Sequence, residues 1–446
     1  MNKKNTYIIA VSLFIVVALF IFLKFKASES EPVSYRLKER NGVLSKSAEY
    51  ISTRATAAKL AMAIRETPAD EKSMIALAAL YIQEARITGD HLYYDMAALQ
   101  QVNNILKRDD KNFDALTYKA LIYLSQHHFA DGLAIAEKAK SINPYNAFIY
   151  GVLVDANVEM GNYKKAVEYS DSMVSIRPDI RSYSRISYLR EIHGDYPGAI
   201  QAMKLAVDAG LPGDEGTEWV RVQLGHLYEK TGDLKSAEMH YTIALEERPD
   251  YAYAFAGLAS IAAANKDYTK AIDYLLKADA LVNDHSFKDQ LVDLYRITGQ
   301  NDKSAAVAQQ IINEMSKESK AGLTNDNIGH YADRELAYAY LKINDQEKAL
   351  THALAEYNRR PKNIDVNETV AWVYYNQGKA DKAIPYLQEA LKTNCKNPTL
   401  LNRAGLIYAK AGDKEKAKMF LQAALKGNPA SAEDIRLENL EVMKSL

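Results

Sequence analysis

The chain has 446 residues, a formal net charge of -1, 25% charged and 48% hydrophobic residues. That is enough for a long array or several domains, and the near-neutral balance gives no sign of a nucleic-acid surface. A single cysteine, Cys395, rules out an intrachain disulfide and a cysteine-based metal site, and 11 Pro with 20 Gly are few enough to favour an all-helical chain.

At the N-terminus, Tyr7 to Leu23 is apolar except for Ser12. Seventeen residues at about 1.5 Å each span roughly 26 Å, just short of the ~30 Å hydrocarbon core. Lys3, Lys4, Lys24 and Lys26 flank the run and can reach the headgroups. The following Lys-Phe-Lys-Ala-Ser is a poor cleavage site, and no cysteine follows for a lipid anchor. Residues 1–24 are therefore expected to be an uncleaved single-pass transmembrane anchor, with a cleaved signal as the alternative. Lys24, Lys26, Arg36, Lys38 and Arg40 on the far side offset Lys3 and Lys4, so the charge count leaves orientation open. The Lys-Lys start before an apolar run resembles a bacterial export signal, which implies a periplasmic or other extracytoplasmic location; the alternatives are a cytoplasm-facing domain and a protein secreted after cleavage.

Residues 25–46, with Pro32 and Gly42, read as a polar linker. Residues 47–446 then carry helical periodicity. Ala57, Ala58, Leu60, Ala61 and Ile64 form one face of a capping helix that stops near Pro68. Met74–Arg86 and Met96–Leu106 form a first helix pair, joined by an extended turn from Gly89 to Tyr94. Beyond them the chain keeps a beat of 34 residues through Asp110, Pro144, Pro178 and Pro212, and again through Pro361, Cys395 and Pro429. Cys395 thus fills a loop slot used elsewhere by proline. Ala98, Ala166, Ala237, Ala349, Ala383 and Ala417 each stand twelve residues ahead of such a slot. A period of this length means stacked helix pairs that bury a core only against their neighbours.

Gly225 to Tyr251 shows one unit in full. Gly225 lets two helices approach, Tyr228 packs one turn later, and Gly232-Asp233 ends one helix and caps the next. Ala237 marks the crossing of the two helices, Tyr241 and Ala244 continue the face, and Pro249 ends it. Two insertions break the beat. The glycine-rich Gly210–Gly216 is the best hinge candidate, and Lys317–Gly329 reads as a polar surface loop. Residues 430–446 read as a polar-faced capping helix, for a total of about nine to ten helix pairs.

The small–aromatic–alanine–proline series at this period resembles the tetratricopeptide repeat. The resemblance covers roughly Ser73 to Pro429, is strongest from Gly225 onward, and weakens where Gly132 replaces the crossing alanine. It implies an all-α, right-handed superhelical solenoid of antiparallel helix pairs with a concave groove, here preceded by one transmembrane helix.

No catalytic, cofactor or metal motif stands out. None of the nine histidines forms a HExxH pair, and His127-His128 sits beside a helix-to-helix turn where a solvated position is the simpler reading. No phosphate-binding loop or nucleophile elbow is present. The chain therefore reads as a non-catalytic, membrane-anchored interaction scaffold for a protein or peptide partner, within an envelope assembly, secretion or maturation complex. An enzyme-complex subunit and a self-associating array are the alternatives. Three stripes at helical spacing are the groove candidates: Trp219, His226 and Glu229; Tyr331, Arg334 and Tyr338; Glu368, Trp372 and Tyr375. Packing against the next repeat is the competing reading for Trp219, Tyr338 and Trp372. The mixed signs, Arg334 against Glu229, Asp365 and Glu368, disfavour the basic clamp that some repeat proteins use for chaperone C-terminal carboxylates.

Overall fold

The computed structural model describes residues 35–321, 329–426 and 433–445, together with 14, 15, 17 and 18. The chain divides into two compact units, Met1–Lys38 and Glu39–Leu446. In the first, positions 14, 15, 17 and 18 are helical and exposed. The expected anchor, 7–23, lies mostly outside the described residues. Among the described residues no helix is long and apolar enough to cross a membrane.

The second unit is all helix among the described residues, apart from turns and loops. A 3-10 turn, Gly42–Lys46, leads into α1 (Ala48–Glu66). Five antiparallel pairs follow: α2 (Glu71–Thr88) and α3 (His91–Leu106), α4 (Phe113–Ser125) and α5 (Phe129–Ile142), α6 (Ala147–Glu159) and α7 (Tyr163–Ile176), α8 (Ile180–Ile192) and α9 (Tyr196–Asp208), α10 (Glu215–Lys230) and α11 (Leu234–Glu247). Five more continue the array: α12 (Ala252–Ala264) and α13 (Tyr268–Leu281), α14 (His285–Ile297) and α15 (Asn301–Ala321), α16 (Asp333–Lys342) and α17 (Gln346–Arg359), α18 (Ile364–Asn376) and α19 (Ala380–Ala390), α20 (Pro398–Lys410) and α21 (Lys414–Leu425). Last comes α22 (Glu433–Ser445), against α20 and α21.

The turn chemistry explains the spacing. Gly232 takes φ +86°, and the Asp233 side chain accepts the Ser236 N–H at 3.0 Å, capping α11. Asp195, Asp267, Asp345 and Asp413 cap second helices in the same way. A Cβ on Gly225 would lie 2.4 Å from the Tyr241 ring, so the small residue makes room for a fully buried tyrosine. Ala166, Ala237, Ala349, Ala383 and Ala417 are all completely buried at the crossings.

Several local expectations change. Residues from Arg40 onward are not free linker: the Arg40 guanidinium is buried, donating to Glu84 at 3.0 Å and pairing with Glu49 at 3.0 Å. On α1 the packed stripe is Tyr50, Ala57, Leu60 and Ile64, whereas Ala58 and Ala61 face outward. Helix α3 starts at His91, so the first turn is only Gly89-Asp90 and Tyr94 is fully buried. The second insertion begins as an extension of α15 to Ala321; residues 322–328 lie outside the described residues, and Gly329 is a contact residue. The Gly210–Gly216 segment is pinned rather than loose. Gly213 N–H donates to Glu218 at 3.0 Å, and its carbonyl accepts from Arg248 at 3.1 Å.

Beyond helices adjacent in sequence, close approach occurs between first helices of successive pairs, such as α4 with α6, α8 with α10 and α18 with α20. The first helices therefore form the tighter, inner layer of a curved array. The curvature is strong enough to bring residues 201 to 205 positions apart into hydrogen bonds, so the chain completes a superhelical turn in about six periods. The turns between paired helices in the first four repeats meet the loops between repeats further on. Asn283 N–H donates to the Thr88 carbonyl at 3.1 Å, and Tyr331 N–H to the Gln126 carbonyl at 3.2 Å. Asn363 donates to the Glu159 carbonyl at 3.0 Å, and Ile364 N–H to the Tyr163 hydroxyl at 2.9 Å. Arg360 pairs with Glu159 and lies 4.3 Å from the Phe129 ring centroid. The approach is so close that a Cβ on Gly161 would stand 2.2 Å from the Lys362 carbonyl oxygen.

This seam separates two otherwise equivalent glycines. Gly161 and Gly378 occupy the same turn position with φ +74° and +72°, yet a Cβ on Gly378 meets nothing within 4 Å. Both alanine variants lose about 1–2 kcal/mol to the left-handed backbone. Gly161→Ala is expected to lose at least about 1 kcal/mol more, the worth of one seam hydrogen bond, by denaturant titration. Equal losses would show that the seam contributes nothing.

Candidate functional site

The structure places the predicted stripes in four different settings. Trp219 is half-buried against the cluster around Met203, Val220 and Leu224, with Arg86 5.9 Å from its ring, so it is chiefly a packing residue. His226 and Glu229 belong to a buried polar knot. The Glu229 carboxylate accepts the Tyr241 hydroxyl at 2.9 Å and the Ser260 hydroxyl, with His226 Nδ1 at 3.7 Å. Burial opposes ionisation of Glu229, but His226, Ser260 and Tyr241 outweigh it and hold its pKa below the ordinary value. Tyr331 lies in the seam, its ring stacked 3.9 Å from His128 and covered on the other side by Arg359 at 4.4 Å.

The remaining candidates converge across α16, α18 and α20, together with a residue the stripes omitted. Arg403 donates to the Tyr338 hydroxyl and to Glu368, both at 2.9 Å, and lies 5.0 Å from the Trp372 ring centroid. Trp372 stacks on Tyr375 at 4.9 Å and 14°, but is only 9% exposed, packed on Leu406 and Leu421 beside Val442 and Met443. Arg334 lies on the Tyr338 ring at 5.6 Å and donates to Thr369 at 3.3 Å. Three other inner cations are paired: Arg185 with Asp155, Lys230 with Glu191, Arg403 with Glu368. Among the described residues Arg334 has no ion pair. Burial opposes its charge, yet Asp365, Tyr338, Glu335 and Glu368 raise its pKa, so it stays a cation. Arg403 escaped the sequence reading because it stands two residues before its repeat's small position, Gly405, where no aromatic marks it.

The expectation of a solvated turn at His127-His128 is overturned. His127 takes φ +61°, and its Nδ1 is 2.9 Å from the Tyr331 carbonyl. His128 Nε2 bonds the Gly329 carbonyl at 2.6 Å. The His127 and His330 rings are 4.3 Å apart, and burial beside His127 lowers the His330 pKa to about 3. A 460 Å³ cavity opens here, lined by His91, His127, His285, His330, Glu318 and Glu335 among others. A larger depression of 620 Å³ lies elsewhere, on α3–α5, with Lys119, Asp131 and Lys138 around Leu116. Lys138 there is paired with Asp110 at 3.5 Å. Cys395 is buried, and burial pushes its thiol up to about 11, consistent with a loop-filling role.

The Glu229 knot has a defined acid response. A lowered carboxylate pKa contributes stability above about pH 4.3 that is lost as pH falls through the folded value. Glu229→Gln is expected to be less stable than the parent at pH 7, with the gap narrowing below that pH in denaturant titrations. A gap independent of pH would assign the loss to packing alone.

Residues 222–285 and 371–432 match the family model described as tetratricopeptide repeat. No curated protein sequence matches the chain. Solved structures with similar folds include the thermophilic tetratricopeptide repeat protein TTC0263 of Thermus thermophilus, at 19% identity, TM-score 0.36, and 46% and 98% coverage of this chain and of that one. PilF of Pseudomonas aeruginosa aligns at 16% identity, TM-score 0.37, and 48% and 94% coverage. The human IFIT1 dimer with PPP-AAAA aligns at 14% identity, TM-score 0.48, and 77% and 79% coverage.

Proposed function

We propose that this tetratricopeptide repeat protein is a non-catalytic scaffold whose inner wall at α16–α20 holds an extended segment of a protein partner. The observation that carries the reading is Arg334, a half-buried cation without an ion pair among the described residues, set on the Tyr338 ring. A guanidinium fixed in this way loses little conformational freedom on meeting a carboxylate. Tyr375, half-exposed and stacked on Trp372, offers an aromatic surface for a neighbouring apolar side chain of the same segment. The partner segment is therefore acidic and apolar in alternation. Trp372 and Arg403 shape the wall from beneath more than they touch the partner.

In this reading residues 7–23 anchor the chain in a membrane and the solenoid works outside the cytoplasm, in an envelope assembly, secretion or maturation complex. The apolar length of the run and its flanking lysines support the anchor.

Crosslinking of the full chain in intact cells is expected to return a specific protein. Arg334→Ala should weaken that capture at least about tenfold, the effect of losing about 1.4 kcal/mol, while Lys138→Ala on α5 leaves it unchanged. Equal capture by all variants would reject the wall assignment. Deleting residues 1–24 should move the protein from the membrane pellet to the soluble fraction, and protease added to spheroplasts should digest the solenoid. Full protection would overturn the extracytoplasmic placement.

A further inference from the structure

The cluster at the seam has a property that packing leaves unexplained. Ligand atoms of His127, His330 and Glu335 all lie within 4.8 Å of one another. His127 comes from the turn between α4 and α5, His330 from the segment leading into α16 and Glu335 from the first turn of α16, so the set bridges two superhelical turns. His127 Nδ1 is 2.9 Å from the Tyr331 carbonyl, so that nitrogen carries the proton and Nε2 keeps its lone pair. Ligating histidines are oriented by this kind of second bond. Glu335 Oε2 is buried and has no hydrogen-bond partner among the described residues. A buried acceptor left this way is destabilising unless a donor or a cation reaches it.

We propose that His127, His330 and Glu335 form a binding site for a divalent transition-metal cation of the zinc class, which staples the second superhelical turn to the first. Two imidazoles and one carboxylate suit such an ion better than calcium or magnesium, which take oxygen ligands. A tetrahedral zinc ion holds its ligand atoms about 3.3 Å apart, so these side chains close by roughly 1.5 Å at most. Three protein ligands leave a fourth position, which faces the 460 Å³ cavity. Glu159, Glu318 and Asp284 also line that cavity and favour a cation there. His330 sits within Gly329–Tyr331 and His127 on the α4–α5 turn, segments that carry seam hydrogen bonds, and Glu335 follows in the first turn of α16. Metal occupancy therefore bears on how firmly the two turns close, independently of what the inner wall binds.

The test is calorimetric titration of the metal-free full chain with Zn²⁺, accompanied by thermal melting. One equivalent is expected to bind and to raise the melting temperature. His330→Gln and Glu335→Gln should each weaken binding by more than about 100-fold, above the range found for residues that merely support a ligand. His240→Gln, on α11 outside the cavity, should bind as the parent does. If the ligand variants fail to fold by circular dichroism, X-ray absorption of the zinc-loaded parent decides. Two imidazoles and a carboxylate oxygen around the ion support the site; an all-water shell overturns it. So does an absence of saturable binding, or binding untouched by both substitutions.

Discussion

The interaction on which the rest of the structure depends is the contact of one superhelical turn with the next. A solenoid ordinarily has only nearest-neighbour interfaces, so its stability adds repeat by repeat. Here the turn glycines Gly89, Gly161 and Gly194 receive backbone carbonyls of Asn283, Lys362 and Asn394, each too close for a Cβ. Main-chain bonds, the Arg360–Glu159 pair and the Tyr331–His128 stack follow from that approach. The array gains long-range contacts and with them a fixed curvature.

Fixed curvature explains why the inner wall is chemically dense. Side chains from α16, α18 and α20 meet within hydrogen-bond distance, and first helices elsewhere pair their charges across one repeat. Tyr188 shows the consequence. It is 40% exposed, yet desolvation, with Asp365 and Glu159 nearby, raises its hydroxyl pKa well above the usual value. Water reaches this wall, but protein surrounds it. In such a setting interactions between charges are stronger than in bulk water.

Much of the repeat architecture was legible in the sequence, because its signals are local. Gly225, Ala237 and Tyr241 mark a helix crossing by size alone, and Gly232-Asp233 marks its turn by backbone preference and capping. The Tyr338, Glu368, Trp372 and Tyr375 stripes were legible as shared faces, though not as one cluster with Arg403. The seam left no such trace. His127-His128 looked like an ordinary turn, and Gly329–Tyr331 like the end of a polar loop, because nothing in either segment refers to the other.

The division has a physical cause. Helices, caps, crossings and the 34-residue period are set by residues a few positions apart, so the amino-acid order alone determined them. The small rotation between successive pairs is not written in any one repeat. It accumulates over about six of them before the chain meets itself. Only the tertiary structure decided that Gly161 would lie under Lys362, that Tyr331 would leave the groove for the seam, and that His127 would face His330 and Glu335.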